Sequence, residues 1–262
     1  MKYCRFEYQG SPAFGWIETV AGREEITGIL PSLPENGLPH PGLKKIPHVP
    51  VDGARLLPAA EPSKIVCVGR NYREHAAELG NEVPVEPLIF FKPPSSVIGP
   101  GQTIVRPKIS ARVDHEAELG VVIGKPCRNL KADEDVRPYI LGYTCVNDVT
   151  ARDLQKKDGQ WTRGKGFDTF CPVGPVVVDT LDPWAGVDVE ARVNGHVKQQ
   201  GNTRDFIFAL DVVIRYIAQV MTLLPGDLIA TGTPSGVGPL FAGDKVEITV
   251  AGIGKLQNLV SD

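Results

Sequence analysis

Residues 113–124 read VDHEAELGVVIG, with two glutamates on either side of one alanine just ahead of an apolar run. The run LGVVIG has the character of a buried β-strand. Side chains alternate between the faces of a strand, so Glu116 and Glu118 share one side while His115, Ala117 and Leu119 share the other. Two neighbouring anions repel. Either both stay in water on an edge strand, the usual setting for glutamate, or they form a ledge for a hard cation such as Mg²⁺, which takes oxygen ligands and offsets the repulsion. The second reading needs a third ligand. Asp148 in YTCVNDVTARD is the candidate, because an apolar strand ends on Asn147-Asp148 and strand ends hold side chains rigidly. The same aspartate also suits the N-cap of the helix-like segment that follows.

Outward from this stretch, KIVCVG, PLIFF, YILGYTCV, PVGPVVV, VDVEARVNG, DLIATG and KVEITVAGIG all read as strands. Helices are fewer. They are expected over residues 72–79, near residues 133–139, from about Thr150, and in TRDFIFALDVVIRYIAQVM, where Phe206, Leu210, Val213, Ile214 and Ile217 recur at helical spacing. The pattern is α+β and mainly β, not a βαβ repeat. Ahead of it, YCRFEY and FGWIETV are short strands between turns. Residues 30–50, LPSLPENGLPHPGLKKIPHVP, are dense in proline and read as an extended connector. The domain boundary is placed near Pro58, giving a small β-rich N-terminal domain (1–57) and a catalytic-sized domain (58–262).

The 262 residues can bury a sizeable core. A formal net charge of -3 and a pI near 6.0 lack the basic bias of nucleic-acid or acidic-membrane binders. Five dispersed cysteines without a CxxC pair fit buried thiols in a reducing cytoplasm. No apolar run approaches the roughly 20 residues of a membrane helix. A cytoplasmic protein with no nucleic-acid or membrane partner is expected.

VGRNYREHAAELG reads as strand, turn at Gly69, and a short helix closed by Gly80. His75 and Glu78 are three apart on that helix. The spacing lets a carboxylate orient an imidazole and raise its basicity towards water; it is also the spacing of an inconsequential surface pair. His40, His48 and His196 lie in loop-like surroundings and, with His115, are read as structural. Arg70, Lys92, Arg152, Gln155 and Lys165 could receive a carboxylate or remain solvated surface groups. The loop ATGTPSGVGP lacks the GK[ST] of a P-loop, although its amides and Thr231 or Thr233 could bind a small anion.

Taken in order, VGRNYREHAAELG, FFKPPSSVIGPG, DHEAELGVVIGK, GYTCVNDVTARDLQ, KGFDTFCPVGP, VNG and ATGTPSGVGP resemble the fumarylacetoacetate hydrolase family from about Lys64 to Asp262. Within that family the motifs resemble those of acylpyruvate hydrolases, oxaloacetate decarboxylases or tautomerases, and homoprotocatechuate-pathway isomerase/decarboxylases. The resemblance implies a β-roll of mixed sheets with few helices, usually a homodimer. It implies Mg²⁺ or Mn²⁺ on Glu116, Glu118 and Asp148, and a water-activating pair of His75 and Glu78. Lys165 would be the lysine of the K-x-F-D motif, and substrate contacts would fall on Arg70, Lys92, Arg152, Gln155 and Thr233. The implied activity is hydrolysis of a small anionic 2,4-diketo acid or enol acid. Isomerisation of 2-hydroxyhepta-2,4-diene-1,7-dioate, decarboxylation of 5-oxopent-3-ene-1,2,5-tricarboxylate and oxaloacetate decarboxylation or tautomerisation are alternatives. The reading from another class is a non-catalytic β module using the three carboxylates as a structural Ca²⁺ site.

Overall fold

The computed structural model describes residues 1–34 and 42–262; His40 and part of the proline-rich segment, residues 35–41, lie outside them. The described chain is mainly β, with helices α1 (Arg73–Glu78), α2 (Arg152–Asp158), α3 (Thr162–Lys165) and α4 (Leu210–Val220). A 12-stranded sheet runs from Lys44–Pro50 at one edge through Arg23–Leu30, Ser11–Val20 and Lys2–Tyr8 to Cys171–Val178. It continues through Ile140–Asn147, Ala117–Ile123, Leu228–Ala230 and Ile65–Gly69 to Leu88–Lys92. The strands of residues 1–57 therefore extend this sheet, because Lys2–Tyr8 pairs antiparallel with Cys171–Val178.

A five-stranded sheet, in the order His196–Asn202, Asp188–Val193, Lys245–Val250, Gly254–Ser261 and Thr103–Val105, covers the middle of the large one. Leu119, Val121 and Cys145 share a core cluster with Ala191, Ile248 and Leu256 of this second sheet. Val122 and Val146 belong to a second cluster with Ile65, Cys67 and Leu228. Ala117–Ile123 is thus buried on both faces, which is why its sequence is an apolar run instead of an alternation.

Several sequence expectations shift. Of the proline-rich connector, Lys44–Pro50 is a strand pairing with Arg23–Leu30; it tolerates Pro47 and Pro50 because it lies at the sheet edge, where missing N–H groups break no ladder. The helix expected at residues 133–139 reduces to a single 3₁₀ turn, Arg137–Tyr139. Pro138 fits the first turn of that 3₁₀ piece but lacks the N–H that an α-helix over 133–139 would bond to the carbonyl of Glu134. Phe206 stays outside α4 and packs edge-on against Tyr72 with ring centroids 5.1 Å apart. Gly80, at φ +68°, closes α1 as expected, with its N–H on Ala77 O and that of Asn81 on Ala76 O. The turn after Ile65–Gly69 falls to Arg70, at φ 56°. Gly69 is required for another reason: a Cβ there would sit 2.7 Å from the Trp161 ring.

The corner that matters lies at Glu116. Before it, Val113–His115 belongs to a three-stranded sheet with Thr150–Ala151 and Gly238–Pro239; after it, Ala117–Ile123 joins the large sheet. The partner chain changes sheet at the same level without slipping, since Asp114 pairs with Thr150 and Ala117 with Asn147. Glu116 and Asp148 consequently face each other across the ladder. The Asp148 N–H donates to Glu116 O at 2.9 Å, and the Glu116 N–H donates to Asn147 Oδ1 at 3.0 Å. All five cysteines are buried free thiols, and no helix among the described residues is long and apolar enough to cross a membrane.

Candidate active site

Oxygen atoms of Glu116, Glu118 and Asp148 lie within 4.8 Å of one another, and all three residues are buried. Strand parity puts the glutamates side by side, and the cross-strand register brings the aspartate to them. Neither bland reading holds. Glu118 is on a central strand and Glu116 at the buried corner just before it, neither on a wet edge, and the N-cap of α2 is Ala151, with no side-chain cap bond.

Cations surround two of the three carboxylates. Glu116 accepts from Arg152 Nη2 and from Lys165 Nζ, each at 2.6 Å. Asp148 accepts from Lys165 Nζ at 2.7 Å and from Lys92 Nζ at 2.6 Å. Burial opposes ionisation of Glu116, but Lys165 and Arg152 outweigh it and hold its pKa well below the ordinary carboxylate range. The same contacts overcome the desolvation of Lys165, whose pKa is raised. Glu118 differs. Burial, with the anions of Asp148 and Glu116, pushes its pKa well above the usual value, against Lys165 and an N–H donated by Gly232 at 2.8 Å.

The three side chains fit a hard divalent cation. They offer only oxygen, each carboxylate oxygen keeps a further lone pair beside its present bond, and the undercompensated charge on Glu118 is what a cation would relieve.

These carboxylates border a cavity of about 470 Å³ that also touches Arg70, His75, Arg152, Gln155, Lys165 and Thr233. His75 is 4% exposed, and its Nδ1 lies 3.4 Å from Glu78 Oε2. Glu78 is held in turn by the Gly236 N–H, 3.0 Å from Oε1. Burial keeps the His75 pKa below the ordinary imidazole value, which favours the neutral form that accepts a proton. Arg152 donates through Nε to Asp114, through Nη2 to Glu116 and through Nη1 to Gln155 Oε1. Because Gln155 uses its oxygen there, its NH₂ group is left to serve as a donor.

Two of the expected substrate contacts spend polar atoms on the protein itself. Lys92 is 1% exposed and does not border the cavity; the anion it meets is Asp148, and it also donates to Val149 O at 3.1 Å. Thr233 borders the cavity, and its hydroxyl donates to Ala117 O at 2.8 Å and accepts from Gln199 Nε2 at 2.7 Å. The loop amides of ATGTPSGVGP do bind anions, and those anions are the protein's own: Gly232 holds Glu118 and Gly236 holds Glu78.

Residues that the pattern did not single out complete the cavity. Trp161 packs edge-on against Phe90, 5.1 Å between centroids, with the Arg70 guanidinium 5.9 Å from the indole centroid. Asn71 is fully buried; it accepts from Phe208 N and donates to Thr231 O, each at 2.8 Å, tying the turn before α1 to the loop after Leu228–Ala230. A lone polar side chain beside a turn carries no periodicity, so only the contacts expose its role.

A family model described as fumarylacetoacetate (FAA) hydrolase C-terminal matches residues 64–261. A 2,4-didehydro-3-deoxy-L-rhamnonate hydrolase of Sphingomonas sp. (strain SKA58) is 39% identical, with 100% of this chain and 96% of that protein covered. The oxaloacetate tautomerase YisK of Bacillus subtilis (strain 168) is 44% identical, covering 78% of this chain and 71% of its own length. Among solved structures, 5-carboxymethyl-2-hydroxymuconate delta-isomerase from Mycobacterium smegmatis superposes with a TM-score of 0.87 at 42% identity, covering 100% of this chain and 99% of that one.

Proposed function

The chain belongs to the fumarylacetoacetate hydrolase family, and on that premise we propose that it is a divalent-metal-dependent hydrolase cleaving the C–C bond of acylpyruvates, the 2,4-diketo acids. The observation carrying this reading is the buried His75, backed by Glu78, on the same cavity as the three carboxylates. A neutral imidazole braced by a carboxylate is the arrangement that accepts a proton from water.

Glu116, Glu118 and Asp148 would hold Mg²⁺ or Mn²⁺, which when bound supplies Lewis-acid neutralisation of the oxygens of a 2-oxo acid. Arg70 borders the cavity and would attract the substrate carboxylate. His75 takes a proton from water, and Glu78 stabilises the imidazolium that results. The hydroxide adds to the distal carbonyl. The C3–C4 bond then breaks, releasing a carboxylic acid and pyruvate enolate, which is protonated to pyruvate. An ammonium has three donors, and Lys165 commits two of them to Glu116 and Asp148. Its third and the Gln155 NH₂ group stabilise developing oxyanions, at about 3 kcal/mol per donor.

A second reading is isomerisation, tautomerisation or decarboxylation of an enol acid, favoured by the fact that the carboxylates, Arg152 and Lys165 form a complete anion-handling set without His75. A panel of acylpyruvates, oxaloacetate and 2-hydroxy-2,4-dienedioates assayed with Mg²⁺, Mn²⁺ and EDTA separates the two. His75→Ala is expected to lower acylpyruvate hydrolysis by about 10²–10⁴-fold and to leave oxaloacetate turnover within a few-fold. Hydrolysis at the wild-type rate in that variant would remove the water-activating role.

A further inference from the structure

We infer that Gln199 is a positioning residue that sets the spacing of the glutamate ledge and fixes the loop that closes over it. Gln199 lies on His196–Asn202 of the five-stranded sheet, is 1% exposed, and does not border the cavity. It nevertheless reaches the peptide between the two glutamates. Its Oε1 accepts the Ala117 N–H at 2.9 Å and lies 3.0 Å from His115 Nδ1. Its Nε2 donates to Thr233 Oγ1 and to Pro234 O, both at 2.7 Å. Every donor and acceptor position of the amide is used.

The reason for this arrangement is a gap in the ladder. On the side of Ala117–Ile123 away from Ile140–Asn147, the strand Leu228–Ala230 pairs only with residues 120–122. Beyond it, Leu119 O is met by Thr231, through both its N–H at 3.2 Å and its hydroxyl at 2.8 Å. At Ala117 no strand remains. Gln199 takes the N–H directly, and Thr233, itself held by Gln199, takes the carbonyl at 2.8 Å. The side-chain amide and the hydroxyl it holds thus replace the missing stretch of strand, meeting both backbone polar groups of Ala117, the residue that separates Glu116 from Glu118.

The clamp reaches further. The loop it pins at Thr233 and Pro234 carries the Gly232 N–H that meets Glu118 and the Gly236 N–H that meets Glu78. Gln199 therefore orders both the cation ledge and the partner of His75 without touching substrate. Groups of this kind, one bond removed from the ligands, typically change metal affinity by about 10–100-fold when lost.

The inference rests on the reading that Glu116, Glu118 and Asp148 hold a divalent cation, and Mn²⁺ titration of the full-length protein followed by EPR tests the two separately. Wild type is expected to bind one Mn²⁺ per chain; failure to bind overturns the cation reading and the inference with it. Gln199→Leu is expected to weaken Mn²⁺ by about 10–100-fold. Gln199→Glu, which keeps the acceptor for Ala117 and His115 but lacks the donor to Thr233 and Pro234, is expected to fall between Gln199→Leu and wild type and guards against a misfolded leucine variant. Melting temperatures in EDTA isolate the purely structural contribution. Either folded variant binding Mn²⁺ within about twofold of wild type, even with a lowered melting temperature, overturns the positioning role.

Discussion

Glu118→Gln is expected to abolish the response to Mg²⁺ and Mn²⁺ and about a thousandfold of turnover, yet to leave the chelated protein more stable than wild type. The activity loss corresponds to about 4 kcal/mol of Lewis-acid stabilisation. The stability gain follows from what surrounds the carboxylate. Glu118 is 2% exposed, lies beside two anions, and has one backbone N–H as its close donor, whereas Glu116 and Asp148 each accept from two cations. Glutamine keeps an oxygen for Gly232 and removes the burdened charge. Without metal the gain is about 1 kcal/mol, roughly 2–4 °C in Tm for a chain of this size.

The pH dependence has a definite sign. The folded pKa of Glu118 is raised above its unfolded value near ~4.3. Its contribution is therefore fully present below that value and is lost as pH rises through the folded pKa, because the native state holds the proton longer. In EDTA, wild-type stability should decline over that window more steeply than that of Glu118→Gln. A variant that melts lower than wild type in EDTA, or that keeps a metal-induced shift in Tm, would contradict the argument.

Lys92→Met is expected to destabilise the protein by about 3–5 kcal/mol, the cost of stripping one partner from a buried ion pair. Lys92 Nζ satisfies Asp148 Oδ1 and Val149 O where water does not reach, since the lysine and Asp148 side chains are 0% and 1% exposed. Methionine fills most of the volume but leaves both acceptors with one donor fewer. A lysine acting on substrate would behave differently: its loss would raise KM and leave the urea midpoint in place. Chemical denaturation of the folded variant alongside its KM distinguishes the two roles, and an unchanged midpoint would return Lys92 to the substrate.

Much of the architecture was legible in the linear pattern. Apolar runs such as Ile140–Asn147 and Cys171–Val178 announce central strands, and Leu210, Val213, Ile214 and Ile217 announce the buried face of α4. Both signals are local and periodic. The proline-rich segment was misread because proline excludes a central strand but not an edge one, and whether Lys44–Pro50 is an edge depends on what fails to pair beyond it. Phe206 matched the helical spacing by coincidence: Asn202 caps a separate 3₁₀ turn, Thr203–Asp205, and the chain is extended again before α4.

At the site, the division between the two sources of information is sharper. Within one strand, the period of two already places Glu116 and Glu118 on a common face, and the period of a helix sets His75 beside Glu78, because covalent geometry alone dictates those relations. Nothing in either period says that Glu116 lies opposite Asp148, that Lys92 ends on that aspartate, that Thr233 spends its hydroxyl on Ala117, or that Gln199 arrives from another sheet. Those contacts depend on a pairing register preserved while two strands change sheets together, and on a ladder that runs out at Gly120 on one side only. Register and sheet order join residues 32 to 116 positions apart, as with Glu116 and Asp148 or Ala117 and Thr233. They are settled only when the whole chain closes its core, so tertiary structure alone decided which of the candidate charges face the cavity and which hold the others in place.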